Sequence, residues 1–456
     1  MRILFLLFFC LLNGAFLFAQ KQTVFTFLHD DSTIKAKYLT EAKLTSQQTV
    51  AGLQGSYVKE YKKIYQDRLE NVSEIVNSSR SITDDKAHPY LQAVLQKIVS
   101  ANPTLQPLKL RVFFTRDWWP NAYSMGDGTI VVNAGLFIFL KNEGELAFTL
   151  CHELAHFYLN HGNQAIEKYV ETVNDKSFQD ELKKLSKEEY RVNERLQKLS
   201  KGVVFNSRRH NREKEAEADR QGFSFFKNTG YNALAAKTCL QMLGKIDDSL
   251  LYKPVDLQQL FDFPEQPFNN KWVRKESSIF SQICKDDGTI SQREKDSLKT
   301  HPDCEKRLAL LSDSITRYVA NKPDFKVDSN KFFSLKNIFA AEINEETFKT
   351  NNLSRNLYFS LQQLQLKDLA ALAHNSVLRC LLQLYEDQQQ HTFGKAVDTE
   401  NKFFPADYNL LLRMLSRIRL DELAAITKAY AAKHNATMQV YPEWQKQMQK
   451  VNHLNP

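Results

Sequence analysis

The sequence predicts a mostly α (α+β) fold, a core of helices with a small sheet followed by a C-terminal helical region. Apolar residues recur at helical spacing over long stretches near both ends of the chain, as in Leu91, Val94 and Ile98. Two short segments between these stretches, 108–114 and 129–133, are rich in β-branched and aromatic residues and are typical of strands. The pattern therefore predicts a chain in which helices outnumber strands.

The composition is that of a globular protein with a sizeable core. The chain has 456 residues, enough for two or three domains, and 43% of them are hydrophobic and 25% charged. A net charge of +8 is a mild excess for this length, so the composition does not indicate nucleic-acid binding. Beyond the N-terminus there is no run of about 18 apolar residues, which excludes a polytopic membrane protein.

Residues 1–19 carry the features of a secretory signal. One cation, Arg2, precedes an apolar stretch, and Ala19 is a suitable last residue before cleavage. Because the stretch from Ile3 to Ala19 is also close to the length of a short membrane span, an uncleaved anchor is the alternative. We therefore expect an exported protein, periplasmic after cleavage and membrane-anchored if the segment is retained.

The cysteines show which disulfide and metal motifs the sequence allows. Of the 6 cysteines in the chain, 5 follow the signal, and an exported protein could pair Cys284 with Cys304. No C-x-x-C pair occurs in the sequence, so neither a zinc ribbon nor a redox motif is indicated.

The remaining elements can be placed in chain order. An N-terminal helical region over 20–84 precedes a helix that starts near Pro89 and ends at Asn102-Pro103, and Asp127-Gly128 supplies a turn before the second strand. The further predictions are a helix over 135–161, an exposed helical hairpin over 165–200, a helix over 212–227 that ends at 228–230, an irregular stretch over 250–300, a linker at 321–324 and helices over 345–450.

One segment of the helix over 135–161 carries a pattern typical of metal chemistry. His152 and His156 are four residues apart, so they lie about 40° apart on one helix face, one turn from each other. Two imidazoles so placed can bind one zinc ion, with Glu153 near the open coordination position. Leu146, Leu150, Leu154 and Phe157 form an apolar stripe on the other side of the helix, which packs while the histidines face a cleft.

A third ligand must come from elsewhere, because catalytic zinc sites use three protein ligands and a water. On a continuous helix His161 would lie about 140° round from His156, over the apolar stripe, which predicts a packed or capping histidine. Glu215 is the better candidate, and Asp219, four residues later, shares its helix face. Glu215 could then ligate zinc while Asp219 accepts the N–H of a ligating histidine, and Glu217 would point away into solvent.

These motifs together resemble the HtpX and CAAX-prenyl-endopeptidase family of gluzincin metallopeptidases, and most closely its soluble exported bacterial members. The family combines H-E-x-x-H with E-x-x-x-D on a later helix, matched here by Glu215 and Asp219. The stretch from Pro120 to Asn133 is similar to the strand before its zinc helix, and Thr300-His301-Pro302 followed by Arg307 is similar to its downstream element. The resemblance covers about residues 85–315.

The resemblance implies a zincin-like core and a zinc-dependent metalloendopeptidase with one Zn²⁺ held by His152, His156 and Glu215. Glu153 would be the general base. His301 would lie near the metal as an oxyanion contact or a fourth ligand, or would be an ordinary loop histidine. The expected division is a signal at 1–19, a helical region at 20–84, the zinc metallopeptidase domain at 85–320 and a C-terminal helical region at 321–456.

The strand over 129–133 would bind substrate if it forms a sheet edge at the cleft. The residues expected to contact substrate are Asn121, Thr129, Ile130, Val131 and Val132. The expected partners are polypeptides, namely exported or envelope proteins under quality control, with no nucleic acid and a possible association with the membrane surface.

Two other function classes remain open from the sequence. The protein could be a zinc-stabilised, chaperone-like binding or assembly factor that rarely cleaves and acts through residues 165–200 and 320–456. A thiol hydrolase is also conceivable because Cys151 precedes His152, but neighbours in a helix diverge by about 100°, so a small buried cysteine is the better expectation.

Overall fold

The computed structural model describes residues 23–185, 212–246, 254–274, 304–319, 321–401 and 404–454. These residues form two compact units. The sheet-containing unit comprises the described residues of 28–251 and 278–346, and the C-terminal helical unit comprises those of 1–27, 252–277 and 347–456. The expected signal segment lies outside the described residues and stays a prediction.

The sheet-containing unit is built on a four-stranded sheet in the order β1-β2-β4-β3. The strands are β1 (Ser81–Ile82), β2 (Arg111–Thr115), β3 (Ala122–Ser124) and β4 (Thr129–Asn133). β2 pairs with β4 in parallel, and β1 and β3 are antiparallel to their neighbours. Both strands predicted from the sequence exist, and β2 starts three residues later than expected.

The helices of this unit surround the sheet. They are α1 (Ser32–Ala51), α2 (Val58–Asn77), α3 (Ala87–Ala101), α4 (Ala134–Phe137), α5 (Glu143–Tyr158), α6 (His161–Asn174), α7 (Lys176–Leu185), α8 (residues 212–228), α9 (Leu234–Ile246), α11 (Cys304–Tyr318) and α12 (Ser329–Lys349). Tyr38, Val72, Phe113 and Val131 bury one sheet face against α1 and α2. Phe114 on β2, Phe137 on α4 and Phe339 on α12 pack edge to face.

The prediction of a single helix over 135–161 is wrong, because the helix is interrupted at two places in this range. Asn142 starts α5 as an N-cap whose side chain accepts the backbone N–H of Glu145. At the other end, Asn160 adopts a left-handed conformation with φ of 60°, which ends the helix and lets His161 begin α6 in a new direction. Asparagine tolerates this conformation better than most residues, so the break has a local cause.

The C-terminal helical unit has a hydrophobic core of its own. Its helices are α10 (Leu257–Phe261), α13 (Leu353–Gln363), α14 (Ala370–Gln389), α15 (Ala406–Arg417), α16 (Leu420–Met438) and α17 (Pro442–Val451). Segment 254–274 belongs to this unit, where Trp272 donates its indole N–H to Glu422 over 3.1 Å and Val255 N–H bonds to Asp407 over 2.8 Å. The expected domain boundaries, which place this segment before the boundary at 320, stay a prediction.

The predicted mostly α (α+β) class is confirmed by this arrangement of helices around a small sheet. Within the described ranges, no helix combines the length and the apolar character that crossing a bilayer requires.

A buried carboxylate fixes the start of α5. Glu143 has no exposed surface and accepts hydrogen bonds from the hydroxyls of Tyr90 and Tyr231. It also accepts the backbone N–H groups of Lys326 at 2.8 Å and Val327 at 2.9 Å. Since a buried charge costs free energy unless it is hydrogen-bonded, these donors hold α5 to a chain segment about 180 residues downstream.

We expect Glu143→Ala to lower the free energy of unfolding of the sheet-containing unit by about 2–4 kcal/mol, because several buried donors would lose their acceptor. Urea unfolding followed by intrinsic fluorescence measures the effect, and Glu167→Ala on exposed α6 is the matched control. Equal unfolding midpoints for the two variants would contradict a stabilising role of Glu143.

Candidate metal centre

The candidate centre lies between α5 and α8, which meet at unusually short range. A side chain at Gly222 on α8 would place its Cβ 2.9 Å from His152 Cα and 3.1 Å from the backbone oxygen of Cys151. Both contacts are with backbone, which cannot rotate away. Only glycine therefore allows α8 to lie this close to the helix that carries both histidines. Gly222 was not predicted from the sequence.

Three side chains from the two helices converge at this crossing. His152 Nε2 and His156 Nε2 are 3.1 Å apart, and the two oxygens of Glu215 divide between them, with Oε2 3.3 Å from His152 Nε2 and Oε1 3.3 Å from His156 Nε2. A tetrahedral zinc ion with bonds of about 2.0–2.1 Å separates its ligand atoms by about 3.3 Å. The donor set and its spacing thus fit one zinc ion, and the structure brings together all three residues that the sequence predicted as ligands.

The charge of the cluster also suits a cation. Burial alone would raise the pKa of Glu215, but hydrogen bonds from His152 and His156 hold it well below its usual range. Glu215 is therefore a carboxylate at neutral pH. The side chains of His156 and Glu215 keep 20% and 26% of their surface exposed, which leaves the cluster accessible from solvent.

Asp219, on α8 with Glu215, lies against His152 on α5, which is the contact expected from the sequence. Its Oδ1 lies 3.0 Å from His152 Nδ1, so it can accept the Nδ1–H and leave the Nε2 lone pair for a metal. Burial opposes the charge of Asp219, but Arg307 on α11 bonds both of its oxygens, at 2.7 and 2.8 Å, and lowers its pKa to about 2. Arg307 is itself 6% exposed, so the two charges compensate each other in the interior.

His161 lies beside His156, not over the apolar stripe as the sequence analysis expected. Since Asn160 ends α5, His161 turns back and brings its Nδ1 to 3.0 Å from Nδ1 of His156. Its Nε2 lies 3.1 Å from a carboxylate oxygen of Glu217. Glu217 is therefore paired with His161, although 53% of its side chain is exposed. The sequence had predicted that Glu217 would contact only solvent. The Asn160-His161-Gly162 sequence was the available signal for the helix break.

Glu153 lies next to His152 on α5 and is 9% exposed. Burial raises the pKa of this carboxyl group, which the nearby histidines and a backbone hydrogen bond from Ser124 on β3 partly oppose. A carboxylate made more basic by its surroundings is suited to accept a proton. Cys151 is fully buried, and burial raises the pKa of its thiol, which favours the structural cysteine expected from the sequence.

The expected substrate edge at residues 129–133 is wrong. β4 is hydrogen-bonded on both sides, to β2 and to β3, so Thr129, Ile130, Val131 and Val132 have no free strand edge and are buried. β3 is the edge strand on this side of the described sheet, and its three residues form too short a segment to be recognised from the sequence. The backbone oxygen of Asn121 accepts from Asn133, within the sheet.

Two further predictions fall outside the described residues. They are the placement of His301 near the metal and the pairing of Cys284 with Cys304, and both stay predictions. Cys304 itself is buried at the start of α11.

Comparison with known proteins agrees with this geometry. Residues 85–315 match the profile of peptidase family M48, which is half of the chain. The chain belongs to peptidase family M48. The family resemblance stated from the motifs is confirmed, and M48 peptidases are metallopeptidases. A Vibrio cholerae protein described as a beta-barrel assembly-enhancing protease is 30% identical over 93 residues, which cover 20% of this chain and 19% of that protein.

For this M48 peptidase we expect Gly222→Ala to push α8 away from α5, because the added methyl group meets the backbone of His152. The free energy of unfolding should fall by roughly 1–3 kcal/mol and zinc retention should fall with it. Thermal unfolding and elemental analysis measure both. Gly52→Ala, where a Cβ meets its nearest atom at 3.6 Å, is the control. Retention of zinc and stability by Gly222→Ala would rule out a required close approach.

The second prediction for the M48 site separates the two tasks of Asp219. Asp219→Ala should weaken zinc affinity by roughly 10–100-fold through His152. It should also destabilise the fold by about 3–5 kcal/mol, because Arg307 would be left as an uncompensated buried charge. The double variant Asp219→Ala/Arg307→Met should regain stability but not zinc affinity. Chelator competition and thermal unfolding distinguish the two effects, and recovery of both together would contradict the assignment to His152.

Proposed function

We propose that the protein is a zinc-dependent metalloendopeptidase that hydrolyses peptide bonds of exported or envelope proteins in quality control. The observation that carries the proposal is the convergence of the Glu215 carboxylate on two imidazoles whose Nε2 atoms are 3.1 Å apart. Its Oε2 is 3.3 Å from His152 Nε2 and its Oε1 is 3.3 Å from His156 Nε2. Two imidazoles and one carboxylate, with a fourth position left for water, are the ligand set of peptide-cleaving zinc enzymes. Membership of the M48 family supports the same assignment.

The residues of the chain have separate tasks in this proposal. When bound, zinc acts as a Lewis acid that polarises the scissile carbonyl and makes water more acidic. His152, His156 and Glu215 would hold the ion. Glu153 would accept the proton of the attacking water and deliver it to the leaving amine, which matches its raised pKa and its position beside His152.

We assign the substrate strand to the outer edge of β3. Met125 N–H bonds to Thr129 on β4, and Asn133 N–H bonds to Asn121. Because ladder hydrogen bonds alternate along an antiparallel strand, the backbone groups of Ala122 and Ser124 point to the other edge, where the N–H of Ser124 bonds to Glu153. An extended peptide could pair there by main-chain hydrogen bonds, beside Glu153, with little demand on its sequence.

The location of the substrates is inferred from two lines of support. The N-terminal segment has the features of an export signal. The relative from Vibrio cholerae is described as a beta-barrel assembly-enhancing protease, a name that favours an envelope setting. The aligned region is a fifth of either chain, so this supports an envelope setting and no particular substrate.

Glu153→Gln tests the proposal directly. The variant should lose about 10²–10⁴-fold in hydrolysis because the proton acceptor is gone, while it keeps its zinc because the three ligands are intact. Cleavage of casein and elemental analysis of the same preparation measure the two properties, and a chelator-treated wild-type sample is the control. Wild-type cleavage by the variant would contradict the mechanism.

A zinc-stabilised binding or assembly factor is the second candidate. The C-terminal helical unit favours it because most of that unit's core, from Leu353 to Leu454, lies outside the M48 match. Complementation of a deletion strain by Glu153→Gln separates the two. Rescue would favour binding without cleavage, whereas failure to rescue by a variant that folds and binds zinc would favour proteolysis.

A further inference from the structure

We propose that His161 and Glu217 are positioning residues that fix the ring orientation and tautomer of His156 for metal binding. The inference rests on the proposed zinc centre, in which His156 is a ligand. It adds two residues that do not touch the metal but act through His156.

The three groups form a hydrogen-bonded chain that ends at the surface. His156 Nδ1 is 3.0 Å from His161 Nδ1, and His161 Nε2 is 3.1 Å from Glu217 Oε2. His161 is 4% exposed, so protein groups must satisfy both of its ring nitrogens. The other nitrogen of His156, Nε2, faces Glu215 and His152 in the metal cluster.

The direction of each hydrogen bond follows from Glu217, the last of the three hydrogen-bonded side chains. A carboxylate can only accept, so Glu217 requires the proton of His161 to be on Nε2. If Nε2 of His156 binds a metal, the proton of that ring is on Nδ1 and is donated to His161 Nδ1, 3.0 Å away. His161 Nδ1 can accept it because the proton of the His161 ring is on Nε2, facing Glu217.

The arrangement mirrors that of the other histidine ligand. Asp219 accepts directly from Nδ1 of His152, whereas Glu217 reaches His156 through the ring of His161. Glu215, Glu217 and Asp219 are alternate residues of one helix. A single segment of α8 would thus supply the carboxylate ligand and the groups that orient both imidazole ligands.

The backbone around His161 is built to hold it in place. The left-handed conformation of Asn160 turns the chain back toward α5, and the backbone oxygen of His161 accepts from Lys214 Nζ over 3.0 Å. α6 is thereby tied to α8 on the residue before the ligand Glu215. A histidine needed only to start or pack a helix would not require its two ring nitrogens to be aligned between His156 and Glu217.

The test measures Zn²⁺ affinity of the full-length protein by competition with a chromophoric chelator. His161→Leu should weaken affinity by roughly 10–100-fold because the acceptor for His156 is lost. His161→Asn should stay within about threefold of wild type, because the asparagine Oδ1 can occupy the place of the imidazole Nδ1 and still accept. The visible spectrum of the Co²⁺-loaded protein should change in His161→Leu and not in His161→Asn.

Glu217 is tested against a neighbour of equal charge. Glu217→Leu should weaken Zn²⁺ affinity by several-fold, while Glu213→Leu, which removes the same charge from the same helix, should not. This comparison also decides the matter if His161→Leu fails to fold, because Glu217 is half exposed. Equal affinities for Glu217→Leu and Glu213→Leu, or equal losses for His161→Leu and His161→Asn, would overturn the inference. If the wild-type protein binds no Zn²⁺, the proposed function itself fails.

Discussion

The structure of the site depends on the contact between α5 and α8 at Gly222. The two helices are far apart in the sequence, and their donor atoms converge only because no Cβ separates the backbones. Glu215, Glu217 and Asp219 then reach His152 and His156 directly or through His161. The opposite face of α5 is held by buried apolar residues, so the histidines cannot turn away from α8.

The charged side chains that we describe beside this contact are paired with groups of opposite charge or lie near the surface. Asp219 and Arg307 neutralise each other behind His152, while Glu215 carries its charge at the mouth of the cluster. A bound cation would therefore replace the attraction that now draws the two histidines and Glu215 together. The protein fold fixes the donors, and the metal would add its binding free energy to the stability of the folded state.

Local spacing in the sequence is sufficient to find the metal cluster, because residues four apart share a helix face whatever the rest of the fold does. His152, His156, Glu215 and Asp219 lie together in the structure on that basis. The predictions that fail depend on events between elements. The left-handed conformation of Asn160 changes the chain direction before His161. The three-residue strand β3 pairs with β4 along the edge that was expected to be free. The donors of Glu143 lie too far along the chain for any local pattern to indicate them.

The long sequence separation between Glu143 and its backbone hydrogen-bond donors has a consequence for biosynthesis. A nascent chain shorter than residue 326 lacks the amide donors that secure the first turn of α5, and Glu342 joins Leu28 and Arg116 only later still. The helix that carries both histidines thus receives its full support near the end of translation of this unit.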